Sequence, residues 1–113
     1  MAPPSQLTIA TSSVLRLVKE EASYHKELSQ QQARLKKLLE SKEEDENAEF
    51  NLKQERAAIE ETNAVFPSLR QRIQDAVLKL EDLLDSNSSA SEEEVTKAKD
   101  AVQQAKTAVN EIS

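Results

Sequence analysis

Residues 52–84 read LKQERAAIEETNAVFPSLRQRIQDAVLKLEDLL, and apolar side chains recur in this segment alternately three and four residues apart. Such spacing places the apolar side chains on one face of an α-helix, as in a coiled coil. Only Glu55 interrupts the pattern. The segment therefore predicts a long amphipathic helix that packs against other helices. The predicted stripe consists of Leu52, Ile59, Thr62, Phe66, Leu69, Ile73, Ala76, Leu80 and Leu83.

Pro67 lies in the middle of this helical segment. An interior proline removes one backbone hydrogen bond and crowds a carbonyl one turn earlier, here that of Asn63, at a cost of about 3 kcal/mol. Two alternatives follow: the helix ends near Val65 and a new one starts with the proline in its first turn, or a single helix continues with a kink. Because the stripe keeps its register through the proline, we predict one helix over about residues 47–84, kinked at Pro67.

A second stripe occupies the N-terminal third of the chain and predicts a helix over about residues 5–41. Ser5 follows two prolines and is a suitable N-cap. Glu21 and Gln31 fall at stripe positions, where polar residues either fix the register and oligomeric state or lie at the edge of the core. The apolar members of this stripe are Leu7, Ala10, Val14, Leu17, Tyr24, Leu28, Leu35 and Leu38.

A third stripe predicts a shorter helix over about residues 91–112. Ser91 and Glu94 have the spacing of a capping box at its start. The small side chains of this helix suit close packing into a groove between the other two. The stripe consists of Val95, Ala98, Val102, Ala105, Val109 and Ile112.

Two short polar segments, residues 41–47 and 85–91, separate the three predicted helices. Connections this short force neighbouring helices to run antiparallel. The sequence therefore predicts an all-α fold, an antiparallel up-down-up three-helix bundle of coiled-coil type with two long helices and one shorter, in a single domain over residues 1–113. The short third helix leaves an apolar two-helix tip uncovered, where we expect a partner or a second copy of the chain. This tip consists of Leu35, Leu38, Leu39, Phe50 and Leu52.

The composition excludes most enzyme chemistry, because the 113 residues contain no Gly, no Cys and one His. Without glycine the chain lacks the phosphate-binding loops and nucleophile turns of most enzyme folds. Without cysteine it has no thiol nucleophile and no zinc–thiolate site. His25 has no nucleophile or metal partner at catalytic spacing. We therefore predict a protein that is not an enzyme, with no catalytic residue, no cofactor and no metal site.

The charge balance bears on the partners, since 15 Lys and Arg stand against 21 Asp and Glu, a net charge of −6. An acidic chain is poorly suited to bind nucleic acid or an anionic membrane, both of which attract Lys and Arg. The segment from Met1 to Leu7 resembles neither a signal peptide nor the start of a transmembrane helix. The sequence thus predicts a cytoplasmic protein whose partner is another protein.

Two blocks of the sequence contain a recognisable set of motifs. The first reads Arg16-Leu17-Val18-Lys19-Glu20, followed by Tyr24 and Lys26-Glu27. The second reads Phe50-Asn51-Leu52-Lys53, then Ile59-Glu60-Glu61-Thr62, Pro67 and Arg72-Ile73. In order and spacing, over about residues 3–84, these blocks resemble the tubulin-binding cofactor A family. The chain departs from the family pattern at Gln54, Glu55 and Ser68 and over residues 64–66.

The resemblance implies a three-helix bundle that captures β-tubulin after its release from the cytosolic chaperonin. Members of the family hold β-tubulin as a quasi-native monomer and pass it to other tubulin-folding cofactors for pairing with α-tubulin, in the cytoplasm and in association with the cytoskeleton. The residues that the resemblance implies for β-tubulin binding are Arg16, Lys19, Glu20, Tyr24, Lys53, Glu61, Phe66, Pro67 and Arg72. The alternative is a coiled-coil oligomerisation or scaffold protein that does not bind tubulin, and both a monomer and a homodimer fit the stripes.

Overall fold

The computed structural model describes residues 4–41, 46–86 and 90–112, with only the backbone of Glu46. These residues form three α-helices, α1 (Gln6–Glu40), α2 (Glu46–Ser86) and α3 (Glu92–Glu111), and no strand. The all-α, three-helix fold predicted from the three stripes is therefore confirmed.

The predicted connections between the helices fall largely on residues 42–45 and 87–89, which lie outside the described residues. Glu46 and Asn47 already belong to α2, so the first connection ends earlier than predicted. Glu49, in the first turn, favours a helix at this point, because a negative side chain interacts well with the positive end of the helix dipole.

α2 continues through Pro67 without interruption, as the unbroken register of its stripe predicts. Phe66 and Leu69 flank the proline and are 7% and 0% exposed, so the apolar face stays packed on both sides of it. This packing offsets the hydrogen bond that the proline removes. The alternative of two helices separated near Val65 is therefore wrong, whereas the kink at Pro67 stays a prediction.

We expect Pro67→Ala to leave the free energy of unfolding unchanged or to raise it by at most about 3 kcal/mol, the usual cost of an interior proline. Urea unfolding followed by circular dichroism at the helix band measures this change. If a bend at Pro67 serves partner binding, the same variant binds its partner more weakly despite its greater stability. Equal partner binding with greater stability shows that the proline affects only packing.

The chain divides into two compact units. Unit 1 comprises Met1–Glu21 and Pro67–Ser113, and unit 2 comprises Ala22–Phe66. Helices α1 and α2 contribute to both units, whereas α3 belongs to unit 1 alone. Unit 1 is therefore built from three helical segments and unit 2 from two. That residues 1–113 act as a single domain stays a prediction.

The core of unit 1 contains large aliphatic side chains from α1 and α2 and small ones from α3. Leu7, Val14, Leu69, Ile73 and Leu80 are at most 1% exposed. The alanines of α3 are at most 3% exposed and allow its backbone to approach the other helices closely. The buried face of α3 is thus centred on alanines, and the three valines of its predicted stripe lie half-buried at the edges. The buried residues of this face are Ala98, Ala101, Ala105, Ala108 and Ile112.

Glu94 joins the N-termini of α1 and α3 in unit 1. Its backbone N–H donates to Ser91 Oγ at 3.1 Å, which confirms the predicted cap of α3. Its carboxylate accepts hydrogen bonds from Ser5 Oγ at 2.5 Å and from Thr8 Oγ1 at 3.2 Å, while the Thr8 N–H donates to Ser5 Oγ at 3.1 Å. One carboxylate therefore connects two helix caps. Because the two N-termini meet, α1 and α3 run parallel in this unit.

We expect Glu94→Gln to lower the thermal unfolding midpoint at pH 7. At acid pH, the midpoints of the variant and of the unmodified chain should lie closer together. The hydrogen bond from Ser5 holds the pKa of Glu94 below its ordinary value of 4.5. A lowered folded-state pKa means that the ionised carboxylate stabilises the fold above pH 4.5. This contribution is lost as the pH falls through the folded-state pKa. Thermal unfolding at neutral and acid pH measures the effect.

Glu93→Gln is the matched control for this prediction, because the Glu93 side chain is 79% exposed and its Oε1 forms an exposed ion pair with Lys97 Nζ at 3.3 Å. It should change the thermal midpoint less than Glu94→Gln at neutral pH. An equal effect of the two substitutions would contradict a connecting role for Glu94.

Candidate functional site

The nine predicted binding residues are divided between the two units. Unit 1 contains Arg16, Lys19, Glu20, Pro67 and Arg72. Unit 2 contains Tyr24, Lys53, Glu61 and Phe66. Within each unit the structure brings one pair of them into contact, and it leaves the other members exposed to solvent.

In unit 1 the contact is an ion pair between α1 and α2. Arg72 Nη1 lies 3.4 Å from Glu20 Oε1, and the side chains are 55% and 34% exposed. Such an exposed pair adds little stability. Arg16, Lys19 and Pro67 are exposed. The predicted residues of unit 1 therefore present charge at the surface rather than a pocket.

In unit 2 the contact is a cluster of three rings. Tyr24 meets Phe66 edge to face, with ring centroids 6.4 Å apart and an interplanar angle of 75°. His25 stacks on Phe66 at 4.7 Å and 29°. Phe66 is 7% exposed, while Tyr24 and His25 are half-buried. Aromatic pairs of this geometry stabilise beyond their buried area, so Phe66 has a structural role in unit 2. The sequence does not predict the stacking of His25, because Phe66 is distant from it in the chain.

Lys53 and Glu61 are exposed on α2 and form no ion pair with any described residue. The charged contact of this unit lies elsewhere, between Arg34 Nε and Glu55 Oε1 at 3.1 Å. The Glu55 side chain is 17% exposed. Glu55 is the residue that interrupts the stripe of α2, and its ion pair with α1 explains the interruption. Polar substitutions within apolar stripes are thus the signal that could have identified this contact.

The apolar stripes of α1 and α2 are mostly buried in unit 1 but only partly covered in unit 2. Among the described residues of unit 2, Phe66 is the one buried apolar side chain. Leu39 and Phe50 are 56% and 59% exposed, as expected for the predicted tip. The half-buried members of the two stripes in unit 2 are Tyr24, Leu28, Leu35, Leu38, Leu52 and Ile59. Unit 2 thus presents apolar helical surface for a protein partner.

Polar groups are buried along the same surface. Gln31 is 5% exposed and Thr62 is 6% exposed. The Thr62 hydroxyl donates to the Ala58 carbonyl at 3.0 Å, whereas Gln31 Oε1 has no hydrogen-bond partner within the described part of the chain. A buried acceptor without a partner costs about 1–3 kcal/mol. Gln31 is therefore a destabilising feature of the packing between α1 and α2 in unit 2.

Comparison with known proteins identifies what these helices resemble. The family model described as Tubulin binding cofactor A matches residues 2–102 of this chain. The chain belongs to this family. The tubulin-specific chaperone A of Saccharomyces cerevisiae is 32% identical over 99 residues, which cover 88% of this chain and 89% of that protein. The human tubulin-specific chaperone A is 32% identical over 96 residues, covering 83% of this chain and 85% of that protein.

Two solved structures of cofactor A proteins are similar in fold. A structure described as a beta-tubulin binding post-chaperonin cofactor has a TM-score of 0.83 and 29% identity, covering 94% of this chain and 99% of that one. The crystal structure of tubulin folding cofactor A from Arabidopsis thaliana has a TM-score of 0.78 and 25% identity, covering 89% and 92%. The cofactor A family assignment therefore rests on sequence and on fold.

The apolar stripe of unit 2 and the exposed charged residues of this cofactor A protein lie on helix faces. None of the described helices is both long enough and apolar enough to span a membrane. The chemistry available at the site consists of exposed aliphatic side chains, lysines and carboxylates on helix faces. Such groups bind a protein surface by burial and charge complementarity.

Proposed function

We propose that this chain is a tubulin-folding cofactor that captures β-tubulin released from the cytosolic chaperonin. In this role it holds β-tubulin in a quasi-native state and passes it to other tubulin-folding cofactors for assembly with α-tubulin. The observation that carries the proposal is the partly covered apolar stripe of unit 2. A protein that holds an unassembled subunit needs apolar surface of its own, because it has to cover the exposed apolar surface of that subunit. Membership of the cofactor A family supports tubulin as the partner.

The preference for β-tubulin follows the description of a solved relative as a beta-tubulin binding cofactor. Because the chain has a net charge of −6, we expect affinity to come from apolar contacts and local cations rather than from long-range attraction. The role requires no catalysis, nucleic acid or membrane. It implies a cytoplasmic protein that is associated with the cytoskeleton through tubulin.

A second candidate function is a coiled-coil scaffold that oligomerises through the tip of unit 2. The exposure of Leu39 and Phe50 favours it, because a second copy would bury both side chains. In this case the chain forms a stable homodimer and has no affinity for tubulin. The two functions therefore differ in what covers the same apolar surface.

A chaperonin release assay separates these functions. Radiolabelled β-tubulin is folded on purified chaperonin with ATP, the chain is added, and the products are resolved on a native gel. We expect a new species that contains β-tubulin and the chain at the expense of free or aggregated β-tubulin. Radiolabelled α-tubulin, as the matched control, should give no such species. The absence of a complex with β-tubulin would overturn the proposed function.

A further inference from the structure

The registers of α1 and α2 allow unit 2 to be compared with unit 1 position by position. With heptad positions a to g, position a falls on Leu7 in α1 and on Leu52 in α2. Positions a and d then contain the apolar stripes in both units. Positions e and b lie on one flank of each helix, beside the stripe. The e and b positions therefore report what covers that flank.

In unit 1, α3 covers this flank. Thr8, at a b position of α1, donates a hydrogen bond to Glu94 of α3 at 3.2 Å. Glu81 lies at a b position of α2, and its Oε2 is 3.9 Å from Lys106 Nζ of α3. The e positions Thr11 and Val77 are 6% and 7% exposed. Both helices thus use the e and b flank to bind a third helix.

Near the end of α1 and the start of α2, the same flank of unit 2 is exposed to solvent. Leu39, at an e position of α1, is 56% exposed. Lys36, three residues before Leu39 in α1, and Lys53, near the start of α2, both lie at b positions. Both lysines are exposed, and neither forms an ion pair with any described residue. We call Leu39, Lys36 and Lys53 the open flank.

The character of α3 indicates what fits such a flank. α3 is amphipathic, with a buried face of alanines, and its sequence contains five acidic and three basic residues. In unit 2 the b positions of the open flank are cations, whose unpaired charges favour carboxylates opposite them. An exposed apolar side chain with two cations on the same flank therefore fits an acidic amphipathic helix, in the helix-in-groove mode of recognition.

We propose that an acidic amphipathic helix of the bound tubulin subunit lies on the open flank of unit 2, where it completes a three-helix packing as α3 does in unit 1. This proposal rests on the proposed function and names the surface that serves it. Lys53 is one of the residues that the resemblance implied for binding, whereas Lys36 and Leu39 are additional. The helix buries Leu39 and pairs with Lys36 and Lys53.

Two matched pairs of variants test this surface in the full chain against β-tubulin released from chaperonin. Leu39→Ser is compared with Ile9→Ser in unit 1, since the two side chains are 56% and 53% exposed. Lys36→Glu is compared with Lys37→Glu, because the neighbouring lysine is also exposed but lies at position c, outside the open flank. We expect Leu39→Ser and Lys36→Glu each to weaken binding about tenfold, and the controls to change it less than about twofold.

Equal binding by Leu39→Ser and Ile9→Ser, or tighter binding by Lys36→Glu, would overturn the open flank as the site while leaving the proposed function intact. If the unmodified chain forms no complex with β-tubulin, the proposed function itself fails. A change from dimer to monomer in Leu39→Ser, with unchanged tubulin affinity, would identify a second copy as the occupant and would overturn the proposal. A photo-crosslinking side chain placed at residue 39 labels the tubulin segment that lies on the open flank. A labelled segment that is acidic and helical in tubulin supports the proposal.

Discussion

We expect Phe66→Ala to lower the free energy of unfolding by about 4 kcal/mol, the usual cost of removing a buried phenylalanine side chain. Phe66 is 7% exposed and is the one buried apolar residue among the described residues of unit 2. Its substitution also removes the contacts with the rings of Tyr24 and His25. The centroids of these rings lie 6.4 Å and 4.7 Å from the centroid of Phe66. Urea unfolding monitored by circular dichroism measures the loss.

The other phenylalanine of the chain is the matched control. Phe50 is 59% exposed, so Phe50→Ala should change the free energy of unfolding by less than about 0.5 kcal/mol. A similar loss for both phenylalanines would contradict the assignment of Phe66 to the core of unit 2. Selective weakening of tubulin binding by Phe66→Ala, with no loss of stability, would instead support the direct contact that the resemblance implied.

The second large effect is expected in unit 1, where Leu69→Ala should lower the free energy of unfolding by about 3 kcal/mol. Leu69 is 0% exposed, so its truncation leaves a cavity between closely packed helices. The measurement is again the urea midpoint, with the slope of the transition checked for two-state behaviour. Because a small domain has about 5–15 kcal/mol of stability in total, this loss should be plainly visible.

Leu78→Ala controls for the loss of a leucine from the same helix. Leu78 is 62% exposed, so its truncation should change the free energy of unfolding by less than about 0.5 kcal/mol. If Leu78→Ala costs as much as Leu69→Ala, the face of α2 that the structure buries in unit 1 has been assigned wrongly.

Local periodicity predicted most of the fold. The register of the stripe through Pro67 was sufficient to predict one continuous α2, because an apolar face that keeps its phase needs a continuous helix. The cap formed by Ser91 and Glu94 was likewise predicted from the sequence, since the two residues lie three positions apart. Features whose cause lies within one or two helical turns could therefore be derived from the chain alone.

Periodicity misplaced the centre of the buried face of α3. Val95, Val102 and Val109 have the spacing of a stripe, yet they lie at its edges, and Ala101 and Ala108 are buried instead. Hydrophobicity favours valine for the centre of the face. Close approach of a third helix requires the smaller side chain there, and that requirement depends on the neighbouring helices rather than on α3 itself.

Long-range contacts account for the rest. Ser5 and Glu94 are separated by 89 residues, and Arg34 and Glu55 by 21, so neither contact leaves a local pattern in the sequence. The same limit applies to the candidate site. The resemblance implied binding roles for Glu20, Arg72, Tyr24 and Phe66, but only the structure shows that these residues form two pairs.

The most direct test of tubulin capture is gel filtration with light scattering of the purified chain, alone and mixed with β-tubulin released from a chaperonin reaction, at low and high salt. We expect a stoichiometric complex that persists at high salt, because apolar helix faces contribute most of the affinity and are screened little. No complex at either salt concentration, with the chain running as a stable oligomer on its own, would contradict the tubulin-folding role and favour a scaffold.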